Sequence, residues 1–260
     1  MSTNPYAAPK AAVADEPVPQ GEYVPGGKSV PASNGWTWIA DGWTMFKAAP
    51  RVWIGITVVF TVILCAMALV PFVGMVGQYL LMPVFMGGIA LGCRAIDDGS
   101  GIEFNHLFAG FQTRFGTLAA VGALYLAGFV VILVVIAIFA GAGVIALMAG
   151  GGLGNEPVAT GAAAMTLLLA VLVAVALSIP LLMAVWFAPP LVVFHDMDAV
   201  AAMKASFTGC LRNMLPFLVY GIVAGLMLFV AMLPLLLGLL VAAPIVLASV
   251  YTGYRDVYLR

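Results

Sequence analysis

The chain alternates between long stretches without a charged side chain and short polar connections. Residues 52–93, 115–155, 157–194 and 213–254 carry no formal charge. A membrane-crossing helix needs about 20 apolar residues, so each stretch is long enough to cross twice. None offers the polar outer face that a soluble amphipathic helix requires. The stretches divide into spans over 52–70 and 73–93 with a turn at Pro71, 117–148 and 163–188 joined by GGGLGNEP, and 214–233 and 235–253 with a turn near Pro234. The pattern predicts an all-α polytopic membrane helix bundle of six transmembrane helices in three hairpins, about 52–93, 117–188 and 214–253. The 117–148 segment exceeds one bilayer and is expected to bend or project.

Shorter amphipathic patterns precede each hairpin. Trp36, Ile39, Ala40, Trp43 and Phe46 share one helical face, as do Phe104, Leu107, Phe108, Phe111 and Phe115. Before the last hairpin, Val200, Met203, Phe207, Cys210, Leu211 and Met214 repeat the arrangement. All three are expected to lie flat at the headgroup level. SGIE at 100–103 reads as a capping box for the middle one.

The first and last hairpins align as repeats. Pro50 pairs with Pro216, Gly55 with Gly221, Pro71 with Pro234, Pro83 with Pro244 and Arg94 with Arg255. These are positions where backbone shape is decided. The central hairpin fits less well, with Pro180 in its second helix.

Charge then orients the bundle. Every one of the ten Lys and Arg residues falls on one side of this division, and Glu156 is the only formal charge in the opposite connections. Basic residues favour the cytoplasmic side, which predicts both chain ends inside a bacterial inner membrane. Trp36, Trp43 and Trp53, with Tyr251 and Tyr254, are expected to anchor the spans at the inner interface. A net charge of −1 without a basic patch argues against a nucleic-acid partner. Cys65, Cys93 and Cys210 fall in spans or at the inner interface, where a disulfide framework is not expected. Residues 1–34, with six prolines, read as a disordered cytoplasmic tail ahead of a membrane domain at 35–260. They carry no apolar signal-peptide segment. The tail is either a solubilising leader or an arm for a cytoplasmic protein partner.

Candidate chemistry is sparse. No span midpoint carries an ionisable residue, which weakens a proton-driven pump. Pro83, Pro180 and Pro244 are candidate helix kinks; three broken helices around one solute would mark a carrier, whereas tolerated kinks are the plainer reading. Gly88 with Gly92, and Gly221 with Gly225, form GxxxG pairs suited to close helix packing. His195, Asp196 and Asp198, joined by Asp97, Asp98, Glu103 and His106 of the neighbouring inner loop, are the weak candidates for a metal site, at spacings that match no zinc or calcium signature. No catalytic triad or cofactor-binding motif is present, so neither an enzyme nor a cofactor is expected.

The motifs GWTWIADGWTMFKAAP, GCRAIDDG followed by LFAGF and LYLAG, and SFTGCLRNMLPFLVYGIV resemble those of a group of uncharacterised proteobacterial six-span inner-membrane proteins, over about residues 35–258. A looser similarity is to the membrane domain beside some glycerophosphodiester phosphodiesterases, whose catalytic domain has no counterpart here. NPYAAPKAAVAD looks like leaders on other bacterial membrane proteins. The resemblance implies fold and location and no activity. The sequence thus predicts a non-enzymatic component that organises membrane lipids or partners from the cytoplasmic face. The alternative is a transporter or permease for a neutral or amphipathic solute. Oligomeric state is left open.

Overall fold

The computed structural model describes residues 21–149 and 157–260. Residues 1–20 of the expected tail, and 150–156 of the expected glycine-rich connection, lie outside the described residues. The helices are α1 (Asn34–Ala48), α2 (Pro50–Ala68), α3 (Val73–Asp97), α4 (Ala109–Thr113), α5 (Phe115–Ala149), α6 (Pro157–Trp186), α7 (Ala188–His195), α8 (Ala199–Arg212), α9 (Met214–Met232) and α10 (Leu239–Tyr258). A 3-10 turn, Phe104–Phe108, leads into α4. Among the described residues the fold is all-helical apart from one isolated bridge, Tyr23 with Leu259.

Five helical segments are long and apolar enough to cross a membrane: Pro50–Ala68, Val73–Asp97, Phe115–Ile145, Ala163–His195 and Met214–Met232. The sixth expected span, 235–253, is not among them. Helix α10 starts only at Leu239 and ends in turns rich in Tyr, Thr, Gly, Arg255 and Asp256, which dilute its apolar content. Only 6% of the most apolar stretch of α5, and of the α6–α7 segment, is buried inside the protein. Large side chains such as Val131, Ile138, Leu168 and Val171 are exposed along them. Water would not tolerate so large a continuous apolar surface, whereas hydrocarbon would.

The repeat read from the prolines extends into the turns. Phe72 after Pro71 and Leu235 after Pro234 both adopt positive φ, 59° and 51°. Gly74 and Gly238 then run back against the carbonyls of Met67 and Ala231, leaving no room for a Cβ. Each glycine sits seven residues after the carbonyl it meets. This glycine pair was not among the aligned positions.

The core lies toward one end, where α1, the C-terminal half of α3, α7, α8 and α10 meet around Trp38, Ile89, Phe187 and Tyr254. Helix α1 packs across α9 and α10 through Gly35, set against the Pro216 carbonyl, and Gly42, where a Cβ would lie 2.6 Å from the Ile245 carbonyl oxygen. The glycines are two turns apart and so share a face. A second face, about 100° round the helix, exposes Trp36 and Trp43. Helix α8 likewise buries a small-residue face, Ala202, Ser206 and Gly209, and exposes Val200 and Leu211.

Two segments depart from expectation. Residues 21–33 were assigned to a disordered tail, but they form a strap over the ends of α8 and α10. The Val24 and Lys28 amides donate to the Tyr258 and Val257 carbonyls at 2.8 Å each. Asn213 accepts from the Val30 amide at 2.8 Å and donates to the Lys28 carbonyl at 2.9 Å. Composition signals disorder only until distant partners satisfy the backbone. The second departure is α7, which follows α6 after a break at Phe187. Pro189 and Pro190 remove two ladder donors, and the exposed ends are sealed by Ser206. Its hydroxyl accepts from the Phe187 amide at 2.9 Å and donates to the Met183 carbonyl at 2.6 Å.

Candidate functional site

The C-terminal ends of α3, α7 and α10 converge with α1 and the strap around a polar cavity of about 580 Å³. The repeat explains its two principal cations, since Arg94 and Arg255 both stand eleven residues beyond a buried proline, Pro83 and Pro244. Both line the cavity. Helix α7 delivers His195, its last residue, to the same wall. Helix C-termini carry partial negative charge, so a basic residue in each last turn is favoured there.

The wall is held by a connected polar network. Arg255 donates to Asp97 at 2.7 Å and reaches Asp41 at 3.5 Å, joining α10 to α3 and α1. The Tyr251 hydroxyl donates to the same Asp97 oxygen at 2.9 Å. Asp256 accepts on one oxygen from both the Asn34 amide group and the Trp38 indole, each at 2.8 Å. Among the described residues this carboxylate has no cationic partner. Arg94 touches Asp98 through its Nε at 3.6 Å and stacks over the Phe194 ring at 5.2 Å. Its terminal guanidinium nitrogens have no hydrogen bond within the described residues. Lys28 ties to the Leu259 carbonyl at 2.8 Å. His195 and Tyr254 are hydrogen-bonded at 2.6 Å, and Tyr23 of the strap lies against the imidazole with ring centres 4.2 Å apart. Burial raises the Tyr23 phenol above its ordinary value, partly offset by a backbone hydrogen bond with Gly26.

The weak metal candidates do not assemble. Asp196 pairs with Arg114 at 2.7 Å, and Asp198 caps α8 by accepting from the Ala201 amide at 2.8 Å. His106 accepts from the Glu103 amide at 2.9 Å. That bond completes a capping box in which Glu103 is the cap and His106 the reciprocating residue. The box therefore sits three residues later than the SGIE reading placed it; Ser100 instead bonds the Ala95 carbonyl at 3.0 Å. Of the candidates, His195, Asp97 and Asp98 line the cavity, but no three such side chains among the described residues are grouped to hold a metal ion.

The expected anchors divide. Trp36 and Trp43 are exposed as an interfacial belt requires, but Trp53 is fully buried and donates to the Met45 carbonyl at 3.1 Å. Tyr251 and Tyr254 are also buried, as part of the cavity wall. Aromatic residues at a span end serve belt and core alike, so the sequence alone did not separate them. Gly88 and Gly92 admit the 3-10 turn, with Gly88 against the His106 carbonyl and Gly92 against the Ile102 side chain, rather than another long helix. Gly221 and Gly225 face open space.

The prolines do not enclose a common site. Pro83 and Pro244 are buried within α3 and α10, while Pro180 is in α6, which packs chiefly on α5 and α8. At 1.5 Å per residue, the cavity begins about 16 Å beyond Pro83 along α3 and about 10 Å beyond Pro244 along α10. Sequence reasoning grouped Asp97 and Asp98 with His195 but missed Asp41, Asp256 and Lys28 as members of one site. The Arg94–Arg255 correspondence was the signal that could have found it.

No family model matches this chain, and no solved structure matches it. The looser similarity to the phosphodiesterase membrane domain therefore has no support. A probable inner membrane protein of Burkholderia thailandensis is 31% identical over 201 residues, covering 74% of this chain and 73% of that protein. Five helices able to cross a bilayer agree with that match, and the chain is an integral, multi-pass membrane protein of the same family as this Burkholderia protein.

Proposed function

We propose that the protein is a six-span inner-membrane component that associates with lipid at the cytoplasmic face and performs no chemical transformation of its own. Helix α10 is the sixth crossing, paired with α9 as α3 is with α2. The equal placement of Arg94 and Arg255 at one cavity supports this pairing. Both chain ends then face the cytoplasm, and α1, α4 and α8 lie at the inner headgroup level with Trp36, Phe111 and Val200 directed outward. The Burkholderia relative, a probable inner membrane protein, supports the location.

The observation that carries the reading is the confinement of polar chemistry to one end. The cavity and its ion pairs lie at the basic end, while α5 and α6 present apolar side chains along their length. A carrier would need a polar path toward midplane, and the three prolines that a carrier would use to form one do not converge. Two measurements test this reading. Single cysteines at positions 100 and 259 should react with an impermeant maleimide only in inside-out vesicles; labelling of either from the periplasm would overturn the orientation. Lipids retained after gentle solubilisation should remain bound through chromatography, and a lipid-free preparation with unchanged stability would overturn the lipid association.

A further inference from the structure

We propose that the cavity at the ends of α3, α7 and α10 binds a zwitterionic phosphoryl-ammonium group, the chemistry of an ethanolamine phospholipid headgroup, with Arg94 and Lys28 taking the phosphate and Asp256 the ammonium. The inference rests on the lipid-facing reading above and names the ligand of that site.

Three observations carry it. First, the cavity is lined by four basic and four acidic side chains. A lone anion placed there meets carboxylates, and a lone cation meets guanidinium groups. A ligand carrying both signs is matched on each side, and a buried charge requires such a match. Second, the internal pairing is incomplete in a specific way. Arg255 is fully engaged by Asp97 and Asp41, a cluster that keeps one net negative charge and has no cation to spare. Arg94 keeps its terminal nitrogens available while Phe194 and Asp98 fix its plane. A guanidinium held in this way offers two parallel donors to phosphate oxygens. Lys28 uses one ammonium hydrogen on the Leu259 carbonyl and keeps two. Asp256 uses one oxygen for Asn34 and Trp38 and keeps the other.

Third, position favours this ligand. Helix α1, which forms one wall, exposes Trp36 and Trp43 on a second face, at the depth where indoles meet headgroups. The volume of about 580 Å³ lies within the range of small-molecule sites. The same chemistry occurs on a free solute, glycerophosphoethanolamine, which reaches the site from water and has no acyl chains.

The full chain in detergent micelles should be titrated with three probes: a short-chain phosphatidylethanolamine, its phosphatidylglycerol counterpart and glycerophosphoethanolamine. Saturable binding of the ethanolamine lipid, with the glycerol lipid at least tenfold weaker, is expected. Asp256→Asn and Arg94→Gln should each weaken it by about ten- to a hundredfold, the loss of one charge-assisted contact. Lys28→Gln provides a variant outside the helices if either of those alters folding. Equal binding of both lipids, or no change in any of the three variants, would overturn the proposal. If glycerophosphoethanolamine binds while no lipid is retained, the site stands and the lipid-associated reading falls. If lipids are retained without headgroup preference, the reading stands and the site falls.

Discussion

Replacing Asn213 with Ala should release the strap while leaving the bundle folded. Asn213 is fully buried and makes three hydrogen bonds. Two of these hold the strap, to the Val30 amide and the Lys28 carbonyl, and one caps the Gly209 carbonyl at 2.8 Å. At about 1 kcal/mol net for each bond, the two strap contacts contribute about 2 kcal/mol, or about thirtyfold in the opening equilibrium. The Arg212 bond to the Gly27 carbonyl at 2.7 Å and the Tyr258 and Val257 contacts remain, so release is partial. Trypsin at low concentration reads the open population, because closing outpaces cleavage. Cutting after Lys28, followed by mass spectrometry, should accelerate about thirtyfold in Asn213→Ala. Thr113→Ala, which loses only a contact to the Ala109 carbonyl in its own helix, should leave the rate unchanged. An acceleration below threefold would refute the reasoning, since it would mean that the strap is held by something other than this side chain.

Other outcomes follow from packing and burial. Ser206→Ala strands the Phe187 amide at the α6–α7 break and should destabilise the protein by about 1–3 kcal/mol, measured as a lower unfolding midpoint in detergent; Ser206→Thr, which retains the hydroxyl, should lose less. Gly42→Val drives a side chain into the Ile245 carbonyl and should cost about 1–3 kcal/mol, whereas Gly221→Ala, facing open space, should hold or raise the midpoint. Burial pushes the Cys210 thiol up to about 12, against a smaller opposing effect of a hydrogen bond with Ser206. A raised folded value stabilises fully below the ordinary thiol value and is lost as pH rises toward 12. The alkaline decline in thermal stability should therefore be shallower in Cys210→Ala, and at pH 8 maleimide should label exposed Cys65 well before Cys210.

The long elements were legible because their signals are local. Charge-free runs gave the axes of α2, α3, α5, α6 and α9, and Pro50 marked the start of α2. What required distant partners was not legible. The strap is rich in Pro and Gly, and only its bonds to Tyr258, Val257 and Asn213 distinguish it from a disordered tail. Helix α7 lay hidden behind Pro189 and Pro190, which read as a helix end until Ser206 of α8 is seen to close the gap. Trp53 and Tyr254 have the composition of an interfacial belt, and burial alone assigned them to the interior. For the cavity, the alignment named Arg94 and Arg255 separately, yet nothing in one dimension shows that two repeats end at the same place or that Asp41 from α1 joins them.

The contact between Lys28 and Leu259 spans 231 residues. A polypeptide emerging from the ribosome exposes the first of these partners long before the second exists. Membrane insertion of the earlier hairpins must therefore proceed with α1 and its leading segment undocked, and final closure waits for the last helix. Truncation within α10 should accordingly yield a chain that inserts but never locks, and that membrane proteases clear in preference to the finished protein.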